Sequence, residues 1–242
     1  MWRSARWSPW ILALACAPGD DDDGPIDDSW MLERHCTAPQ GLGRPQHIGE
    51  VVTLINALPM PVTLTCLLEA LDRPLTVAAA TSPFSAQPTE DVESPRLFLL
   101  SGELVMSIVT IGEAANSLEF GEYVEPARTL KGELEFPVEA TLAPEAPYAG
   151  ALLGSVTRCS TCHGDDRFAG MVGEVPSYTS NALAPEPQRV VPVGFVEQHA
   201  RDCQGEDEPS DPERCALLGA VFGHGDVGAG GFRIDDRICV TP

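Results

Sequence analysis

Hydrophobic and polar residues alternate along this chain with two different periods, and each change of period marks a predicted element. In residues 47–58, HIGEVVTLINAL, the positions Ile48, Val51, Val52, Ile55 and Leu58 fall on one helical face, and Pro59 ends the run. One amphipathic helix is predicted there. From Pro61 the period shortens: Val62, Leu64, Cys66 and Leu68 alternate with partly polar neighbours, as do Leu75, Val77 and Ala79 after the Asp72-Arg73-Pro74 turn, and both runs predict strands. RLFLLSGELVMSIVTIG predicts two short buried strands broken at Ser101 and Gly102, and LEFGEYV a further strand from Leu118. The clearest alternation is LKGELEFPVEATL, with Leu130, Leu134, Phe136, Val138, Ala140 and Leu142 on one side and Lys131, Glu133, Glu135 and Glu139 on the other. It predicts a ribbon with one dry and one wet face, and Pro137, unable to donate to a ladder, predicts an edge position.

The turn-rich stretch APEAPYAG marks a boundary at Pro144 to Gly150, beyond which the pattern turns to helix and loop. VGFVEQHARDC brings Phe195, Val196, His199, Ala200 and Cys203 to one helical face, so that His199 points inward with them. SDPERCALLGAVFGHG offers Ser210 or Asp211 as N-cap, Pro212 in the first turn, and Gly223 at the end. The fold class expected is therefore α+β, a β-sandwich-like N-terminal domain over residues 36–148 followed by a small, mainly helical, cytochrome c-like haem domain over 149–242. No internal repeat is present, and GAGG at 228–231 has loop composition without a strand before it or a helix after it.

The N-terminus alters the setting of this fold. MWRSARWSPWILALAC places Arg3 and Arg6 ahead of a short apolar run from Trp10 to Ala15, too short to span a bilayer, and ends at Cys16. Residues 1–15 read as a bacterial lipoprotein signal, with Cys16 as the lipidated residue; an ordinary secretory signal cleaved nearby is the alternative. Residues 16–35 read as an acidic disordered tether, since six aspartates lie between Asp20 and Asp28. The mature chain is expected in the periplasm or at the cell surface, held to a bacterial membrane by its lipid.

Charge and cysteines narrow the chemistry. The whole chain carries a formal charge of −21, and loss of Arg3 and Arg6 with the leader leaves 13 basic against 36 acidic residues, or −23. Nucleic acid is excluded as a partner, because phosphate backbones are bound by clustered Lys and Arg; a basic redox partner protein is favoured instead. In an exported chain the remaining cysteines are expected to oxidise, and spacing pairs Cys203 with Cys215 and Cys36 with Cys66, leaving Cys239 over.

RCSTCHG, Arg158 to Gly164, holds the sharpest chemical signal. Thiols three residues apart can add across the two vinyl groups of one haem, and the next residue, His163, then stands beneath the iron as proximal ligand. Cys159, Cys162 and His163 are thus the candidate attachment site for one covalent haem c. A dithiol pair would call for a βαβ context that is missing here, a structural zinc would recruit Cys203 or Cys215 as a further ligand, and a plain Cys159–Cys162 disulfide is the third alternative. For the distal position His224 is preferred, within the glycine-flanked FGHGD, with His199 as the alternative and Met171, only eight residues past His163, less suited.

Cys16 with its acidic tether, CTAPQGLG, FLLSGELVMSIV, CSTCHG and ERCALLGAVFGHGDV together resemble a family of predicted bacterial lipoproteins with a single cytochrome c motif. The resemblance implies haem c on Cys159 and Cys162 with His163 as iron ligand, and supplies neither a distal ligand nor catalytic residues. The function expected is that of an exported, membrane-anchored haem protein in electron transfer. The alternatives are a non-catalytic surface lipoprotein with a structural disulfide at the motif, and a haem enzyme of peroxidase-like type.

Overall fold

Strand pairing in this molecule runs across the boundary seen in the sequence. The computed structural model describes residues 30–205 and 209–233 and the backbone of 237–238. The leader, Cys16, the tether up to residue 29 and Cys239 lie outside the described residues. In chain order the helices are α1 (Ile48–Ala57), α2 (Leu64–Ala70), α3 (Ala146–Ala151), α4 (Ser160–His163), α5 (Val193–Gly205) and α6 (Pro212–Phe222). The strands are β1 (Leu75–Ala80), β2 (Arg96–Ser101), β3 (Leu104–Ile108), β4 (Ser117–Glu125), β5 (Arg128–Glu135), β6 (Leu152–Leu153), β7 (Val156–Thr157), β8 (Arg167–Val172), β9 (Val175–Asn181), β10 (Leu183–Ala184), β11 (Val190–Val191), β12 (Val227–Ala229) and β13 (Arg237–Ile238).

Nine of these strands form one sheet in the order β11-β1-β2-β3-β4-β5-β9-β8, with β12 also beside β1. Its pairings are antiparallel except that of β12, which runs parallel to Leu75–Val77 while β11 takes Ala79 and Ala80 on the same edge of β1. Two corrections to the sequence-based fold class follow. The apolar face of the sheet is covered by helices, so there is no sandwich of two sheets. Nor, among the described residues, is there a helical haem domain after residue 149: that part of the chain supplies β8, β9, β11 and β12 to the common sheet, and α5 and α6 pack on the sheet's apolar side. Burial of the long apolar face explains both outcomes, because Leu97, Leu99, Leu104, Met106, Ile108, Leu118 and Phe120 would otherwise stay wet.

Helices α1, α5 and α6 form where the periodicity placed them. At the start of α1 the Ile48 N–H, which has no partner within the helix, donates to the Glu122 carboxylate of β4 at 2.8 Å. Asp211 caps α6 by accepting the Arg214 N–H at 3.0 Å. The strand predicted from Val62 is instead α2: the Thr63 hydroxyl accepts the Cys66 N–H at 3.1 Å, and Leu64, Leu67, Leu68 and Leu71 are buried at helical spacing. Arg73 then joins two helix ends, its guanidinium donating to Leu71 O at 2.7 Å and to Ala220 O at 2.8 Å, with longer contacts to Leu68 O and Val221 O. Cys36–Cys66 and Cys203–Cys215 are both disulfides, as the spacing suggested; the second staples α5 to α6. Among the described residues no helix is long and apolar enough to cross a membrane.

Candidate functional site

The other face of the sheet is polar, and it is also covered. Register alignment puts Phe98, Ser107, Glu119 and Glu133 in one row across β2 to β5, and Val105, Gly121 and Lys131 in the next. Of the odd positions expected to be wet, Lys131 and Glu133 are instead interior, each less than a tenth exposed, as is Thr129, while Glu135 at the end of β5 is exposed as expected. Pro137 lies just past β5, beyond the end of its ladder with β4, and Val138 bridges to Val62.

What covers this face includes the cysteine motif. The β6–β7 hairpin leads into the single turn α4, and the segment after it is pinned down by charge. Arg128 donates to the Asp165 carboxylate at 3.0 Å, to Asp165 O at 2.8 Å and to Thr179 O at 2.9 Å, while Asp166 accepts both the N–H and the hydroxyl of Thr157 at 2.8 Å. Asp165 adopts a φ of 51°, a left-handed conformation that its short polar side chain tolerates better than most. α3 meanwhile lies against β5 so closely that a Cβ on Gly150 would come within 2.2 Å of Glu133 O.

Asn181, at the end of β9, fixes His163 twice. Its side-chain amide donates to His163 O at 2.8 Å, and its own carbonyl lies 2.7 Å from His163 Nδ1. A carbonyl oxygen only accepts, so Nδ1 carries the proton and Nε2 carries the lone pair. Lys131 Nζ also lies 3.2 Å from Nδ1, but that nitrogen is committed as a donor and gives the lysine no acceptor. Burial, aided by the Lys131 charge, holds the imidazole pKa well below its ordinary value, so the ring is neutral at physiological pH. A neutral imidazole whose far nitrogen donates to a carbonyl is the form in which histidine ligates metals.

The neighbouring groups are shifted by the same burial. It lowers the Lys131 pKa to about 8 and raises that of the Cys159 thiol to about 11. Cys159 is thus a protonated thiol at neutral pH, the reverse of what a reactive dithiol needs, and it is not bonded to Cys162. A zinc site drawing on Cys203 or Cys215 is ruled out by their mutual disulfide, and among the described residues no cluster of His, Cys, Asp and Glu is placed to hold a metal ion.

Cys159, Cys162 and His163 line one groove with a cavity volume of about 110 Å³, below the usual range of small-molecule sites. Its floor is the polar row of the sheet, including Arg96, Glu119 and Lys131, and its walls include Phe84, Phe98, Tyr123 and Phe232. Phe98 and Phe232 meet edge to face at 5.0 Å. Two cysteines, one neutral imidazole and several aromatic side chains therefore border the same groove. The three distal candidates are not among the residues lining this groove. His224 lies in a separate recess with Met31, Leu32 and Arg34; His199 stacks edge-on against Phe195 at 4.6 Å; Met171 is 56 % exposed on β8.

The sequence reading did not single out Asn181, Arg96 or the aromatic walls. Only the alternation of β5, which set Lys131 and Glu133 on one side, hinted at the floor. No family model, curated protein or solved structure matches the chain, so the meaning of the groove rests on its own residues.

Proposed function

We propose that this chain is an exported c-type haem protein acting in electron transfer, with one haem bound covalently through Cys159 and Cys162 and ligated by His163. The observation that supports it is the state of His163: one nitrogen donates to Asn181 O at 2.7 Å, leaving Nε2 with its lone pair on a Cys-x-x-Cys-His turn beside an aromatic-walled groove. When bound, the group would supply an iron centre able to take up and release one electron. The chain's part is to hold both thiols at one groove, to orient the ring through Asn181, and to limit water around it with Phe98 and Phe232. Attachment through Cys16 would keep the protein at a membrane of the cell envelope, and the formal charge of −21 favours a basic redox partner.

The test is production in a host with the cytochrome c maturation machinery, followed by a pyridine haemochrome spectrum of the denatured protein. Retained haem with the thioether band is expected, and its loss in the Cys159→Ser, Cys162→Ser double variant. Colourless protein from a host that matures a control cytochrome overturns the proposal.

A further inference from the structure

The chain crosses the polar face of the sheet once more after β12. The Gly230 N–H donates to Val77 O at 2.7 Å, Phe232 meets Phe98 of β2 edge to face at 5.0 Å, and the Arg233 guanidinium lies 3.7 Å from the ring centre of Tyr123 on β4. Arg233 also donates to the Glu103 carboxylate at 2.8 Å and to Gly102 O at 3.3 Å, both in the turn between β2 and β3. Farther on, β13 pairs with Leu183 and Ala184 of β10. The contacts thus pass from β1 over β2 and β4 to the segment after β9, across the strands rather than along them. Close approach depends on Gly230, where a Cβ would come within 2.6 Å of Leu100 Cδ1 and 2.7 Å of Thr76 Cγ2.

This crossing and the cysteine turn close one groove from opposite sides. Phe232 stands against β2, whereas His163 lies over β5, 3.2 Å from Lys131 Nζ, and both residues line the groove with Cys159. With Phe232 in place the cavity between them is about 110 Å³, where small-molecule sites commonly offer about 300–1,000 Å³.

The two sides are held with unequal strength. The turn is fixed through Asn181 and through the bond of the buried Arg128 guanidinium to Asp165. Among the described residues, the crossing is held by an Arg233–Glu103 pair 41 % and 51 % exposed, by a half-buried Phe232 and by one backbone bond at Gly230. Exposed ion pairs contribute little, and segments with few buried contacts open well below the free energy of global unfolding. Neither Cys36–Cys66 nor Cys203–Cys215 lies within it. Gly231, with no atom within 4 Å of where its Cβ would stand, supplies a pivot.

We propose that Gly230–Arg233 is a displaceable strap, which closes the groove beside Cys159 and swings aside to admit a group larger than the closed cavity. That the admitted group is a haem rests on the reading of the preceding section; the swing itself does not.

The experiment uses the full chain made without the maturation machinery and alkylated with iodoacetamide at fixed pH, in urea concentrations below the unfolding transition. Tandem mass spectrometry reads the buried Cys159 separately from the exposed Cys162. In wild type the Cys159 rate is expected to be nearly independent of urea, the mark of a local opening. The Phe232→Ala, Arg233→Ala double variant should raise that rate about tenfold or more, the factor for losing a half-buried ring and one cation–π contact, again without urea dependence. Urea unfolding of the variant checks that the fold persists. A Cys159 rate that climbs with the full urea slope of global unfolding, or one that the double variant leaves unchanged, overturns the strap. The two readings fail separately: colourless protein with a strap-controlled rate removes the haem alone, and retained haem with an unmoved rate removes the strap alone.

Discussion

Replacing Lys131 with methionine should make this protein more stable, and by an amount that depends on pH. The ammonium is buried at 5 % exposure, and burial, only partly offset by the nearby negative charge of groups such as Glu119, brings its pKa from 10.5 to about 8. At about 1.4 kcal/mol per pH unit, that difference corresponds to about 3 kcal/mol of destabilisation wherever the lysine is charged in both states. Between about pH 8 and 10.5 the unfolded chain holds a proton that the folded chain has released, so unfolding binds protons and stability rises with pH. Cys159 works in the opposite direction above its ordinary 9.0, because the folded thiol keeps its proton up to about 11. The difference between wild type and Lys131→Met largely removes that contribution. Urea unfolding of both proteins without haem, at half-unit steps from pH 7 to 10, should show the variant more stable by about 2–3 kcal/mol at pH 7, with the gap closing steadily above pH 8. A variant no more stable than wild type at pH 7, or a gap independent of pH, would refute the placement of a charged lysine in this floor.

Two further outcomes test the frame that holds the groove. Arg73→Met removes the 2.7 and 2.8 Å bonds that tie the ends of α2 and α6 together, and should cost about 2–4 kcal/mol in urea unfolding, with Arg73→Lys restoring less than half because an ammonium does not fork across both carbonyls; a loss under about 0.5 kcal/mol would mean that the clamp contributes nothing. The Cys203→Ala, Cys215→Ala double variant opens a link across a sequence separation of 12 residues and should lose about 3 kcal/mol, read as a lower thermal midpoint under non-reducing conditions.

Much of the secondary structure could be read from local order alone. α1, α5 and α6 and the strands β1 to β5 appear where the spacing of apolar residues predicts them, because each period is a property of a few consecutive residues. α2 departs from the predicted strand because Val62, Leu64, Cys66 and Leu68 fit period two as well as Leu64, Leu67, Leu68 and Leu71 fit the helical spacing, and the Thr63 cap weighs only in the folded chain. At the site, the sequence named Cys159, Cys162 and His163 but could not supply Asn181, which lies 18 residues on and reaches His163 only through the loop that Arg128 fastens to Asp165.

Taken alone, the order of residues settled α1, α5, α6 and β1 to β5, the two disulfide pairs and the cysteine-histidine turn, all of which depend on short spacings. It could not settle which strands would be neighbours. Val190 and Val191 pair with Ala80 and Ala79, and Val227 to Ala229 with Leu75 to Val77, across separations far beyond any local period. Nor could it settle whether the charged side of β5 would face water, since alternation sorts side chains onto two faces without saying what lies over either one. That was fixed only when the turn carrying His163 came down on Lys131, burying it and Glu133 where the pattern had predicted solvent.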